Sequence, residues 1–94
     1  MTTDVTIRHQ PPAQRFAARL DGNIAYLSYD EPEPGVLDYA HVYVPPAYRN
    51  QGVAAQLTRT ALEWARTHGY SVIPSCPYVS HYVYRNPEYN DILH

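Results

Sequence analysis

The chain has no lysine, and only one cysteine, one methionine, one tryptophan and one phenylalanine among its 94 residues. A single cysteine excludes an intramolecular disulfide and any cysteine-based metal cluster. Without lysine, all seven positive charges are arginines. They are spread along the sequence with no basic block, and the formal net charge is −2, a balance unsuited to nucleic acid. The missing lysine is more simply read as a genomic preference for arginine codons than as a functional device, and no functional inference is drawn from it. Long apolar runs are absent as well. No stretch approaches membrane-spanning length, and the first six residues lack the basic region and apolar run of a leader. A soluble cytoplasmic protein without membrane contact is therefore expected. His9, His68, His81 and His94 share no ligand spacing with one another or with Cys76, so no metal site is expected and these histidines are read as surface residues.

What the chain does have is tyrosine, ten in all, a residue suited to half-buried strands. Residues 5–9 read as a short strand ended by Pro11-Pro12, and residues 15–20 alternate with Phe16, Ala18 and Leu20 on one face. Asp21-Gly22 supplies a hairpin turn into a third strand over 23–29. Residues 30–35, Asp-Glu-Pro-Glu-Pro-Gly, are expected to be a polar loop. A fourth strand over 36–44 would put Leu37, Tyr39, His41 and Tyr43 on one face and Val36, Ala40, Val42 and Val44 on the other. Between 53 and 68 the period becomes helical, with Ala54, Leu57, Ala61, Leu62 and Ala65 on one stripe and Gly69 as a stop. A fifth strand over 71–75 precedes a second helix that starts at Pro77 and ends near Asn86, ahead of Pro87. A strand–helix–strand unit makes strands four and five parallel, while strands one to four form an antiparallel meander. The expected fold class is α+β: a mixed, mostly antiparallel five-stranded sheet with one parallel β–α–β unit and two helices. A chain this short buries one modest core, so residues 1–94 form a single domain.

Chemistry concentrates where the fourth strand gives way to the first helix. After Val44, Pro45-Pro46 break the strand, and residues 49–54 read R-x-x-G-x-A. The small residues Gly52 and Ala54 let backbone N–H groups approach a ligand as the helix begins, and a helix start carries unpaired donors and partial positive charge that suit an anion. Taken alone, six residues of this kind more often mark plain turn chemistry than an anion site. Cys76 precedes the proline that opens the second helix, a position that favours thiolate, although a lone cysteine is also ordinary core filler. His41 has either the general-base role open to a neutral imidazole or a hydrogen-bonded place within the sheet.

The order of motifs adds to this. His41-Val-Tyr-Val-Pro45, Arg49-Asn-Gln-Gly-Val-Ala54, Ile73-Pro-Ser-Cys-Pro-Tyr-Val79 and Arg85-Asn-Pro87 together resemble the small single-domain members of the GNAT N-acetyltransferases, across nearly the whole chain. The resemblance implies acetyl-coenzyme A as cofactor and an unidentified amine, whether protein, peptide or small molecule, as acceptor. It implies that the amides of Gln51, Gly52, Val53 and Ala54 hold the pyrophosphate while Arg49 and Asn50 shape the loop. The strand edge around Val42 and Val44 would pair with the pantetheine arm, and Arg85 and Asn86 would face the adenosine end or cap the helix. It assigns catalysis to Cys76, His41 and Tyr82, the last interchangeable with Tyr78 or Tyr84 by a small shift. Direct transfer and an acetyl-Cys76 intermediate both remain open. So do a noncatalytic coenzyme A-binding or protein-interaction module and a cysteine hydrolase, and a monomer or a weak homodimer.

Overall fold

The computed structural model describes residues 4–94. Five strands lie in sequence order across one sheet: β1 (Ile7–Gln10), β2 (Arg15–Leu20), β3 (Asn23–Glu33), β4 (Val36–Tyr43) and β5 (Ser71–Ile73). The first four pair antiparallel, and β4 pairs parallel with β5. Helix α1 (Val53–Thr67) links β4 to β5, and α2 (Pro77–Arg85) follows. The expected mixed sheet, meander and parallel unit are all present.

Local chemistry explains the joints. Asp21 and Gly22 both have positive φ, 44° and 83°, the backbone that a two-residue hairpin needs. At the end of α1, Gly69 has φ 76°, and the N–H groups of Gly69 and Tyr70 donate back to the carbonyls of Arg66 and Ala65. That pair of bonds satisfies carbonyls that the helix end would otherwise leave open. Pro77 starts α2, where its missing N–H costs nothing.

The core lies between one face of the sheet and the helices. Phe16, Leu27 and Tyr39 from the strands meet Leu57, Ala61, Leu62 and Ala65 of α1 and Val79 and Val83 of α2. Thr58 is fully buried, and its hydroxyl donates to the Ala54 carbonyl at 2.9 Å.

Four details depart from the sequence reading. The acidic 30–35 segment is not all loop, because β3 runs through Pro32 to Glu33. Beyond Tyr29, β3 pairs only with β4 and its register slips between Asp30 and Glu33, so Pro32 sits at an irregular edge where no ladder donor is required. In β4, Ser28 pairs with His41 while Tyr29 pairs with Tyr39, which makes Ala40 the extra residue of a bulge. The bulge resets the alternation. Tyr39 stays on the core side with Leu37, whereas His41 and Tyr43 turn to the opposite face, across from Ser28 and Tyr26. His9 is not a plain surface residue either: its ring stacks on Phe16 at 4.3 Å, meets Trp64 at 4.4 Å and bonds the Tyr29 hydroxyl at 2.6 Å. Finally, after α2 a 3₁₀ run over Pro87–Ile92 carries Leu93 to a parallel bridge with Val72.

Candidate functional site

The parallel pairing of β4 with β5 is short. It spans Val36–Ser71, Leu37–Val72 and Asp38–Ile73, and the next link is a single bond from the Cys76 N–H to the Tyr39 carbonyl at 2.9 Å. From Ala40 onward the β4 edge has no strand beside it on that side among the described residues, so its peptide groups line a cleft. The bulge at Ala40 lies at the closed end of this cleft.

At the open end the chain turns through Pro46–Tyr48 into α1. Asn50 has φ 65° and Gly52, the residue before the first helical turn, has φ 79°. These left-handed residues flank Gln51 and fold the loop into a concavity of the kind that presents successive N–H groups to an anion. The first-turn amides of α1 have no intrahelical acceptor, and no acidic residue lies in that turn. Arg49 is held in place, its Nε donating to the Val44 carbonyl at 2.9 Å. The Gln51 amide donates to the Ala47 carbonyl at 3.1 Å.

A cavity of about 500 Å³ joins these parts. It is lined by the strand edge from His41 to Val44, by Tyr48, Arg49, Asn50 and Gly52, by Val53, Ala54 and Ala55 of α1, and by Tyr78 of α2. Of the sequence-derived candidates, Val42, Val44, Arg49, Asn50, Gly52, Val53, Ala54 and His41 therefore share one cleft. Gln51 is not in its lining. Cys76 sits at the N-cap of α2, 5% exposed and packed in the core cluster, and is also outside the lining. Tyr82, Arg85 and Asn86 line a smaller neighbouring cavity of about 300 Å³ with Tyr78 and His81. Asn86 caps α2 by donating to the Tyr82 carbonyl at 2.8 Å.

Two tyrosines line the cleft: Tyr48, which the sequence did not single out, and Tyr78, which it offered only as an alternative to Tyr82. Tyr48 donates its hydroxyl to Asp21 at 2.7 Å, tying the loop to the β2–β3 turn. That bond raises its pKa. Tyr78 lines both cavities. Burial pushes its phenol above the ordinary value, and Tyr82 adds to the shift, so Tyr78 remains a proton donor at neutral pH. Its position directly after Pro77 was the available signal, since the first turn of α2 faces the end of the parted strands.

Residues 15–92 match the GCN5-related N-acetyl-transferase family. Among curated proteins, the chain is 31% identical to mouse Protein NATD1 over 85 residues, covering 88% of this chain and 77% of that one. It is similarly 31% identical to the human Protein NATD1, covering 75% of that protein. A Staphylococcus aureus protein described as GCN5-like, solved in solution by NMR, superposes with a TM-score of 0.76 at 21% identity, over 99% of this chain and 91% of that chain. At that identity the likeness is one of fold.

Proposed function

The chain belongs to the GCN5-related N-acetyl-transferase family, and on that premise we propose that it binds acetyl-coenzyme A in the β4–α1 cleft and passes the acetyl group directly to an amine. The observation that carries this reading is the left-handed pair Asn50 and Gly52 before an α1 whose first turn contains no acid. The amides of Gly52, Val53 and Ala54 would hold the pyrophosphate. The free β4 edge at Val42 and Val44 would pair with the amide-rich pantetheine arm as an added strand does. The thioester would then lie near the closed end of the cleft, at Ala40 and His41.

His41, exposed and lining the cleft, would accept a proton from the incoming amine. The amine nitrogen would then attack the thioester carbonyl with loss of the C–S bond, the Tyr78 hydroxyl would protonate the departing thiolate, and the proton taken up by His41 would return to the phenolate through solvent. Direct attack is preferred over an acetyl-cysteine route because Cys76 is 5% exposed and belongs to the core. A nucleophile must reach the carbonyl carbon at about 3 to 3.5 Å. The adenosine end would extend past the helix terminus toward Arg85 and Asn86.

Calorimetric titration with acetyl-coenzyme A tests the binding step, followed by an assay of free thiol release in the presence of mixed amines. Binding with release that falls when His41 is replaced by Ala supports the enzyme. Binding of equal strength with no release for any amine would leave a coenzyme-binding module instead, and no binding at all would overturn the reading.

A further inference from the structure

The sheet has a second face, turned away from the core. Strand alternation sends Arg8, Arg15, Arg19, Tyr26, Ser28 and His41 to it, since their neighbours Phe16, Ala18, Leu27 and Tyr39 point into the core. Both helices pack through the core cluster on the other side, and Arg8, Arg19, Asp30, Glu33, His41 and Tyr43 are exposed on this face.

Charge on the face is divided. Its β1–β2 half carries the three arginines. Arg8 and Arg19 are exposed and have no ion pair or hydrogen bond among the described residues, and they flank an open cavity of about 610 Å³. Arg15 is engaged with Gln10 and lies over the Tyr26 ring. The far end of the β3–β4 half is acidic. Asp30 stands in register with Asp38, whose Oδ1 is buried without a hydrogen-bond partner, and Glu33 pairs with Val36 in the next part of the same hairpin. Like charges directly opposed across two strands disfavour the pairing unless a cation answers them. The other end of the β3–β4 half is aromatic, with the Tyr26 ring 5.6 Å from Tyr43 and 5.9 Å from His41.

We propose that this face is a homodimer interface, in which a two-fold axis passing between the β1–β2 arginines and the acidic end of the β3–β4 hairpin sets the arginines of each copy against the acids of the other. A polyanion would satisfy only the arginines and be repelled by Asp30, Glu33 and Asp38. A basic peptide would meet the reverse problem. A second copy carries both signs at the matching separation by construction, and the same patch serves both subunits. The footprint sets the strength. Four strands about 4.8 Å apart, each contributing some six residues at about 3.3 Å, give on the order of 400 Å² of flat sheet, roughly half the ~800 Å² per partner of a standard stable interface. The dimer is therefore weak and salt-sensitive. His41 and Tyr43 also line the cleft, so the second copy would border the side from which an acceptor enters. The dimer itself does not depend on coenzyme binding.

Sedimentation velocity over a concentration series at low and high salt tests this. The wild type should show a concentration-dependent dimer that recedes as salt rises. Arg8→Glu/Arg19→Glu makes the face predominantly acidic, with Arg15 remaining, and Asp30→Arg/Glu33→Arg makes it predominantly basic. Each double variant should be monomeric alone, and an equimolar mixture should form heterodimers more tightly than the wild type self-associates. A wild type that stays monomeric to several hundred micromolar at low salt overturns the proposal without reference to any variant. So does a dimer that persists in both variants, or a mixture that fails to associate.

Discussion

The backbone N–H of Cys76 donates to the carbonyl of Tyr39 at 2.9 Å, while the Tyr39 hydroxyl donates to the Ala61 carbonyl in the middle of α1 at 2.6 Å. One residue thus joins the closed end of the cleft to the helix whose N-terminus forms the open end. Tyr39 is completely buried, and burial, with Tyr29 adding to it, raises its pKa far above the usual range, so the hydroxyl stays a donor at all working pH values.

Replacing Tyr39 by Phe keeps the ring and removes that donor. Ala61 retains its own helical bond, so the loss is one buried hydrogen bond of about 1 kcal/mol. For a domain of this size that corresponds to a fall of roughly 4–8 °C in Tm. Thermal unfolding followed by circular dichroism measures it. A change below a degree would mean that the hydroxyl contributes nothing net.

The thiol at the other end of the bond is the next test. Cys76→Ala preserves the backbone N–H and removes one buried sulfur, at a cost of about 1 kcal/mol. Direct transfer predicts coenzyme affinity unchanged and turnover within about threefold, an effect of well under 1 kcal/mol on the barrier. Mass spectrometry of the wild type with acetyl-coenzyme A should show no thioester on the protein. An acetylated Cys76 that an amine then discharges would establish the two-step route in its place.

Gly52 has the most demanding backbone of the cleft. With φ at 79°, a β-branched side chain there costs about 1–2 kcal/mol, and relieving the strain rotates the amides of Val53 and Ala54 away from their common focus. Gly52→Val should therefore weaken acetyl-coenzyme A binding by at least about tenfold, equivalent to 1.4 kcal/mol, while the protein remains folded. Calorimetry gives the affinity and circular dichroism the fold. Unchanged affinity would remove the first turn of α1 from the binding site.

Local backbone demands were legible in the sequence, and long-range ones were not. Asp21-Gly22, Gly69 and Pro77 each declare a turn, a helix stop or a helix start through the φ they permit, and the structure has all three. The special backbone at Gly52, with φ 79°, falls where the sequence has its glycine at the helix entrance. The bulge at Ala40 was hidden because it depends on how β3 and β4 align, and nothing in the composition of β4 marks an unpaired alanine. Without the bulge, His41 would share the core face with Tyr39. Pro32 misled the reading because a proline excludes a central strand but not an irregular edge. Tyr78 and Tyr82 could not be ranked because α2's rotation relative to the cleft is set by Val79 and Val83 in the core. His9 was taken for a surface group because its partner Trp64 lies on a helix far along the chain.

That misread histidine gives a pH dependence. Burial is the larger cause, and His68 the smaller, of a His9 pKa lowered below the ordinary 6.5. Its neutral ring can accept the Tyr29 hydroxyl proton at Nε2, and Tyr29, whose own pKa burial raises, keeps that proton. The unfolded chain binds a proton near pH 6.5, before the folded protein does. His9 therefore contributes stability that is fully present above pH 6.5 and is lost as pH falls through its lower folded value. Asp91, held below the usual carboxylate range by its bond to Arg66, titrates outside this window. Urea unfolding between pH 7 and pH 5 should show stability declining toward acid, and His9→Gln, which keeps a hydrogen-bonding side chain but cannot titrate, should flatten the decline. Parallel slopes for the two proteins would assign the pH dependence to other groups and leave His9 as packing alone.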